Sequence, residues 1–392
     1  MGQKILSADW ILPVSSAPVK NGSIVFDDEK ILYIGSYVES VQTFPNAIKA
    51  DLPGKVIIPG LVNPHTHLDF SLYKDQLVMQ KDETMFDWIK RVVDLQPVTT
   101  IEMRKAGAIE GIKEMQEEKI ALIGDIVHDP FSAELLEKEK FQGVCFHELS
   151  GFLPDKAKGL FLEARETVNR LSGHSENFAH YMAPHSPYAV SEELLKLIAQ
   201  ERQRTCFHLA ESQDEVTFLK QGEPRMQKIM ENLGKWDDNW QAPGCSPVRY
   251  FAALGLLHEK SIAVHMVHVE EKDYAILQAT KPNICLCPRS NVWLNNGLPP
   301  AEAYLALGLN VCLATDGLGS NHDLSMLNEM RFFKKQFPKV DAATVLSMGT
   351  LNGAKALGMN KHFGALEVGR LNRMTLVSNP DRSNPYSFLD TH

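Results

Sequence analysis

A chain of 392 residues, 44% hydrophobic and 23% charged, has material for one large globular domain or two modest ones. Its net charge of −9 argues against a nucleic-acid partner, which needs a clustered basic face, and points to a small molecule instead. No apolar run reaches the roughly 18 residues that cross a bilayer, so no membrane partner is expected, and the N-terminus lacks the apolar core of a signal peptide.

Residues 1–56 alternate β-prone pieces (4–12, 22–26, 30–34) with bends at Asp27-Asp28 and Gly35-Ser36. Short strands at this spacing predict a small antiparallel layer. The tail at 364–377 has the same character, and chain ends often meet at a domain surface. Residues 1–56 and 364–392 are therefore expected to form one small flanking β-sandwich, beside a catalytic unit over 57–363.

From residue 57 the pattern becomes strand, then helix, repeated. After a first strand beginning at Ile57, further strands are predicted at 121–127, 143–149, 177–184, 205–211, 261–267, 283–286 and 310–315. Helical spacing appears at 100–119, with Thr99 or Thr100 as N-cap, at 191–202 and at 300–307. Eight strands separated by helices predict an α/β fold, a (β/α)8 TIM barrel, with its active site where strands run into the following loops. The least regular stretch, 222–246, is either a lid over the mouth or a helical excursion packed by Trp236 and Trp240. Six cysteines, scattered without C-x-x-C spacing, read as reduced thiols in a cytoplasmic protein.

The first barrel strand ends in His65-Thr66-His67. On extended backbone, residues i and i+2 share a face, so both imidazoles aim at one point, which is half a metal site. Alone, such a pair is more often solvated or packed in a core than a pair of ligands. Other predicted strands also close on titratable groups: His208 and Glu211, then His265 and His268, then Asp316. Singly, His208 or His265 reads as a hydrogen-bonded core histidine, Asp316 as an N-cap and Glu211 as a helix-start carboxylate. Independent structural roles do not predict that all of them lie at one end of one barrel.

The segments Pro59-Gly-Leu-Val-Asn-Pro-His-Thr-His67, Ala183-Pro-His-Ser-Pro-Tyr188, His208-Leu-Ala-Glu211, Val264-His-Met-Val-His268, Cys287-Pro-Arg-Ser-Asn291 and Thr315-Asp-Gly-Leu-Gly-Ser-Asn321 resemble, in this order, those of the amidohydrolase superfamily. The likeness is to its nucleobase and nucleoside deaminase branch, which includes the adenosylhomocysteine, guanine and aminofutalosine deaminases and the triazine hydrolases. It implies that His65, His67, His208 and Asp316 ligate one divalent metal, zinc first and iron as the alternative. It implies proton work for Glu211 and His265, with Asp316 taking a proton from the attacking water. Members with two metals bridge them by a lysine of strand four, and 177–184 contains none.

His185 resembles a substrate-contacting histidine. Phe86 and Trp88 can stack on a heterocycle or simply pack a helix, and Arg289 near the mouth suits a substrate carboxylate. For His268 a structural role is at least as well founded as a catalytic one. The Phe86-Asp-Trp88 and Cys287-Pro-Arg-Ser-Asn291 pieces look closest to the aminofutalosine type, implying deamination of aminodeoxyfutalosine. Adenosylhomocysteine or methylthioadenosine deamination, guanine deamination and triazine dechlorination are the alternatives. A non-catalytic metal-binding barrel stands outside them, disfavoured by Glu211 and His265 beside the ligands. A homodimer is a family expectation. The segment Gly369-Arg-Leu-Asn-Arg-Met374 departs from the family's Gly-Lys-x-Ala-Asp-Leu, a change bearing on packing of the flanking domain.

Overall fold

The computed structural model describes residues 2–390. Five strands open the chain: β1 (Lys4–Ile11), β2 (Val19–Lys20), β3 (Gly22–Phe26), β4 (Ile31–Ser36) and β5 (Ile48–Pro59). Eight more follow: β6 (Leu61–Thr66), β7 (Ile120–Val127), β8 (Gly143–Leu149), β9 (Phe178–Pro184), β10 (Thr205–Leu209), β11 (Ser261–His265), β12 (Asn283–Leu286) and β13 (Val311–Leu313). β14 (Met374–Ser378) closes the series.

The expected sandwich is instead one six-stranded sheet, ordered β14-β5-β1-β3-β4 with β2 on β1. It is not wholly antiparallel, because β1 and β5 run parallel. A helix at Tyr37–Thr43, not a second sheet, supplies Val41 to the apolar cluster around Ile5, Val25 and Ala47. The first barrel strand was also misplaced: Ile57 and Ile58 belong to β5, pairing with Leu376 and Thr375 of β14, and β6 starts only after Gly60. The unusual 369–374 segment sutures this sheet, with Ile31 N–H donating to Arg370 O (2.9 Å) and Asn372 N–H to Glu29 O (2.9 Å).

β6 to β9 form one four-stranded parallel sheet and β10 to β13 another. No continuous ladder joins them; side chains and single backbone bonds bridge the seams. Thr205 Oγ1 donates to Met182 O (3.1 Å), and Asn63 Nδ2 donates to Thr315 Oγ1 (2.8 Å). Both sheets feed one interior: Val62, Leu122, Val144 and Phe146 pack in a cluster with Cys206, Ile262, Val264, Cys285 and Cys312. Alternate residues such as Cys145, Leu149, Phe207 and Leu209 join the larger cluster that holds Leu194 and Ile198 of the covering helices. Strands buried on both faces explain the nearly continuous apolar runs.

The helices start where side chains can cap them. Thr100 accepts from Met103 N–H at the head of Ile101–Glu117, and Ser191 from Leu194 N–H at the head of Glu192–Gln200. All six cysteines are free, five of them buried. Among the described residues no helix is long and apolar enough to cross a membrane.

Close strand contact fixes one glycine. A Cβ on Gly124 of β7 would lie 2.2 Å from the carbonyl oxygen of Pro64, the residue before His65. Gly124→Ala must shift backbone and should lose about 2–4 kcal/mol in denaturant unfolding. A loss under ~1 kcal/mol would contradict that approach.

Candidate active site

The C-terminal ends of β6, β10, β11 and β13 deliver the expected groups to one place. His67 Nε2 lies 3.2 Å from both His65 Nε2 and His208 Nε2, and Asp316 Oδ1 is 3.5 Å from the first two of these nitrogens. The i, i+2 reading of His65 and His67 holds. Extended chain does not suffice elsewhere, because Ala210, His265, Met266 and Asp316 all take left-handed backbone, with φ between 50° and 72°. For residues with a Cβ this is uncommon, and it marks functional turns. Each strand end kinks just where its chemistry begins.

The donor set suits a cation. His208 Nδ1 donates to His185 O (3.1 Å), so its Nε2 offers a lone pair to the cluster. His65 Nδ1 faces Cys206 Sγ at 3.5 Å, and His67 Nδ1 is buried without a partner. Burial, with the His65 charge second, pushes the His67 imidazole down to about 3. Burial and the surrounding histidines also hold His208 well below its ordinary value. Neutral rings with convergent lone pairs repel one another unless a cation sits between them.

Two carboxyls beside this cluster are driven in opposite directions. Burial alone would raise Asp316, but the hydrogen bond with His65 and the neighbouring imidazoles hold it well below the usual carboxylate range. Its Oδ2 also accepts from Ser290 Oγ (2.7 Å) and Ser320 Oγ (2.8 Å). Glu211 has no such donors. Burial first, then the charges of Asp316 and Glu215, raises it well above the normal range, which favours its protonated form. Its backbone is fixed by Glu215, whose two oxygens accept from Ala210 N–H and Glu211 N–H, both at 2.8 Å. His265 Nε2 is 3.5 Å from Glu211 Oε1, while its Nδ1 meets Asn291 Oδ1 at 2.8 Å. Burial pushes this ring down to about 4, so it is neutral and Nε2 is an acceptor.

A cavity of about 320 Å³ opens from these groups. His185 and Trp88 line it, and Trp88 Nε1 is tied to Leu77 O (2.9 Å). Phe86 does not line it: fully buried, it packs on Tyr188 and Phe218 with ring centroids 5.2 and 6.4 Å apart. Arg289 is likewise absent from the lining. Its fork is filled by Asp323 at 2.6 and 2.9 Å, with Glu329 nearby. His268 lies outside the imidazole cluster, with its backbone N–H on Ala210 O (2.8 Å).

The 222–246 excursion supplies a wall. Its helix Pro224–Asn232 contributes Met226, Ile229 and Met230, facing Trp88, Ile89, Val92 and Val93 of the helix Met85–Leu95. Trp236 stacks on Phe152 (5.4 Å) and Trp240 on Phe218 (4.4 Å), so tryptophan packing anchors the segment. Lys235 is the single Lys or Arg among the lining residues.

Sequence reasoning passed over His128 and Glu148, which also line the cavity, and Asp69 behind them. The signal was present. His128 follows an apolar run at the end of β7, and Glu148 sits near the end of β8, as the recognised ligands do on other strands.

The sequence profile described as amidohydrolase family matches residues 56–389. A 5-methylthioadenosine/S-adenosylhomocysteine deaminase of Desulfitobacterium hafniense is 29% identical over 383 residues, covering 93% of this chain and 83% of that one. An aminodeoxyfutalosine deaminase of Deinococcus radiodurans is 28% identical, covering 92% and 87%. Among solved structures, an aminofutalosine deaminase of Helicobacter pylori in complex with methylthio-coformycin superposes with TM-score 0.84 at 20% identity over 98% of this chain and 95% of that one. An adenosine deaminase of Xanthomonas campestris with bound zinc gives 0.82 at 22% identity over 99% and 88%.

Burying these rings neutral has a consequence for stability. Unfolding restores the ordinary imidazole value of 6.5, so between pH 6.5 and about 3 the unfolded chain takes up a proton that His67 in the metal-free fold refuses. Metal-free protein should lose stability from this ring as pH falls through that window, by up to ~1.4 kcal/mol per pH unit. Urea midpoints at several pH values, compared between wild type and His67→Gln, isolate the effect. Parallel curves for the two proteins would refute it.

Proposed function

Because the chain belongs to the amidohydrolase family, we propose that it is a metal-dependent hydrolytic deaminase of an adenine nucleoside, exchanging the exocyclic amine for oxygen and releasing ammonia. The two four-stranded sheets are read as halves of one (β/α)8 barrel over 61–363, supported by their shared interior and bridged seams, with residues 1–59 and 364–392 as the flanking domain. The observation that carries the function is Glu211: a buried carboxyl with no side-chain donor, beside a cation-ready cluster at the floor of a cavity.

His65, His67, His208 and Asp316 are read as ligands of one divalent cation, zinc first and iron second, which would supply the Lewis acidity that brings a water's pKa towards neutrality. Asp316 keeps Oδ2 on Ser290 and Ser320, which leaves Oδ1 to accept the proton of the attacking water. Glu211 donates its proton to the ring nitrogen next to the attacked carbon. His265, neutral and with Nδ1 on Asn291, presents an acceptor and so orients the attacking water; it stabilises the new oxygen only once it has gained a proton.

The substrate's 5′ side is assigned to the apolar gallery between the helices Met85–Leu95 and Pro224–Asn232. With Arg289 committed to Asp323, Lys235 at the gallery's exposed end takes over the role expected of it, meeting a carboxylate. An apolar body ending in a carboxylate is the chemistry of aminodeoxyfutalosine, the reading we favour. The neutral gallery walls equally accommodate a methylthio group, which keeps methylthioadenosine as the second reading. A reducing cytoplasm fits six free thiols.

Zinc-loaded protein should release ammonia from aminodeoxyfutalosine, and Glu211→Gln should lower kcat by about 10²–10⁴ with zinc content unchanged. Silence across aminodeoxyfutalosine, methylthioadenosine, adenosylhomocysteine and adenosine would sink the nucleoside assignment. Lys235→Met should raise KM for the carboxylate substrate about tenfold and leave methylthioadenosine unaffected. Equal effects on both substrates would remove Lys235 from recognition.

A further inference from the structure

Four titratable side chains that this chemistry leaves unused run in a line along the cavity wall. Asp69 Oδ2 accepts from the backbone N–H of His128 (3.1 Å) and from its ring Nδ1 (3.0 Å). The far ring nitrogen of His128 meets Glu148 Oε2, and Glu148 Oε1 accepts from His185 Nδ1 at 2.7 Å. The Asp69 and Glu148 side chains are 1% and 3% exposed, so the bonds to Asp69 Oδ2 and to both oxygens of Glu148 come from protein groups, while Asp69 Oδ1 has no partner.

The line crosses four successive strand ends. Asp69 lies in the short helix Leu68–Tyr73 after β6, His128 just past β7, Glu148 in β8 and His185 just past β9. Both oxygens of Glu148 are occupied by histidine nitrogens, so His185 carries a proton on Nδ1, which leaves Nε2 for a ligand in the cavity. A lone Glu148 could rotate away; His128 pins its second oxygen, and Asp69 pins His128. Asp69 follows His67 by two residues, and the carbonyl of His185 accepts from both His208 N–H (3.0 Å) and His208 Nδ1 (3.1 Å). His185 is therefore held on one side by the relay and on the other by a member of the imidazole cluster.

We propose that Asp69, His128 and Glu148 form a positioning relay that holds His185 in one rotamer and one tautomer, with Nε2 presented to a sugar hydroxyl of the substrate. Naming a sugar hydroxyl as the ligand rests on the deaminase reading; the relay itself rests on the hydrogen bonds. A hydroxyl is the matching partner because it both donates and accepts, and so pairs with Nε2 whether or not that nitrogen bears a proton. The relay touches neither the attacked carbon nor the leaving amine, so it acts on binding through His185.

Glu148→Leu removes the acceptor at similar volume, whereas Glu148→Gln keeps one oxygen for His185. In the zinc-loaded enzyme, Glu148→Leu should raise KM about tenfold or more, keep kcat within about threefold and leave zinc stoichiometry unchanged. Glu148→Gln should recover most of the KM. A fall in kcat at unchanged KM, or loss of zinc, overturns the positioning role. A second readout needs no turnover: long-range proton–nitrogen NMR on histidine-labelled protein should find His185 protonated on Nδ1 in wild type, and a tautomer mixture in Glu148→Leu. If Glu148→Leu does not fold, His128→Asn takes its place in both experiments. A wild type inactive on every nucleoside defeats the functional reading alone. A His185 tautomer indifferent to these substitutions defeats the relay.

Discussion

Everything at the strand ends follows from crowding three imidazoles and one carboxylate together, with His67 Nε2 3.2 Å from the Nε2 atoms of His65 and His208, and Asp316 Oδ1 3.5 Å from those of His65 and His67. No arrangement of protons lets three inward-facing lone pairs satisfy each other, so the fold must hold them from outside until a cation joins them. That demand explains the left-handed turns at Ala210, His265, Met266 and Asp316, each a conformation that L-residues adopt at an energetic cost of order 1 kcal/mol or more. It also explains why the backbone of one strand end is so often the hydrogen-bond partner of the next, as His185 O is for His208 and His65 O is for Asp316 N–H.

The same cavity pushes one carboxyl towards its ionised form and another towards its protonated form. The difference lies in donors: Asp316 has two serine hydroxyls on Oδ2 and imidazoles around Oδ1, while Glu211 has burial and two negative neighbours. Opposed environments of this kind assign acid and base within one site without any difference in side-chain type. The ionised Glu148 is a third case, held low by His185 and His128 against a burial that would raise it. Three carboxyls line one cavity in three distinct settings, and neighbours within a few ångströms decide each.

The polar ends of apolar runs were legible in the sequence because burial gives them few alternatives. His65, His67, His208, Glu211, His265 and Asp316 could be chosen by position alone, and they converge. What could not be read was direction in loops. Arg289 lies beyond its strand as expected, yet a bidentate partner 34 residues away, Asp323, takes its fork first. Phe86 and Trp88 are two apart on one helix, so the turn that brings Trp88 to the cavity sends Phe86 into the core. The boundary at Ile57 was misplaced because apolar residues on both sides of Gly60 read as one strand, and only pairing with β14 separates them. His128 and Glu148 stand at the ends of β7 and β8 just as the ligands stand at theirs.

The anchoring of the 222–246 wall by Trp236 and Trp240 places the proposed chemistry and the proposed recognition of the substrate's 5′ side on separate pieces of chain. The groups proposed to make and break bonds sit on strand ends that share one interior, where a change of volume in one strand disturbs the others. The wall is one insertion between β10 and β11, attached through aromatic faces to Phe152 and Phe218. A different helix could be seated on the same two rings, with different residues at 226, 229, 230 and 235, and the strand ends would not register the exchange. A scaffold divided in this way can change what it recognises in a few substitutions while what it does stays fixed, in keeping with the different substrates named for the relatives it resembles.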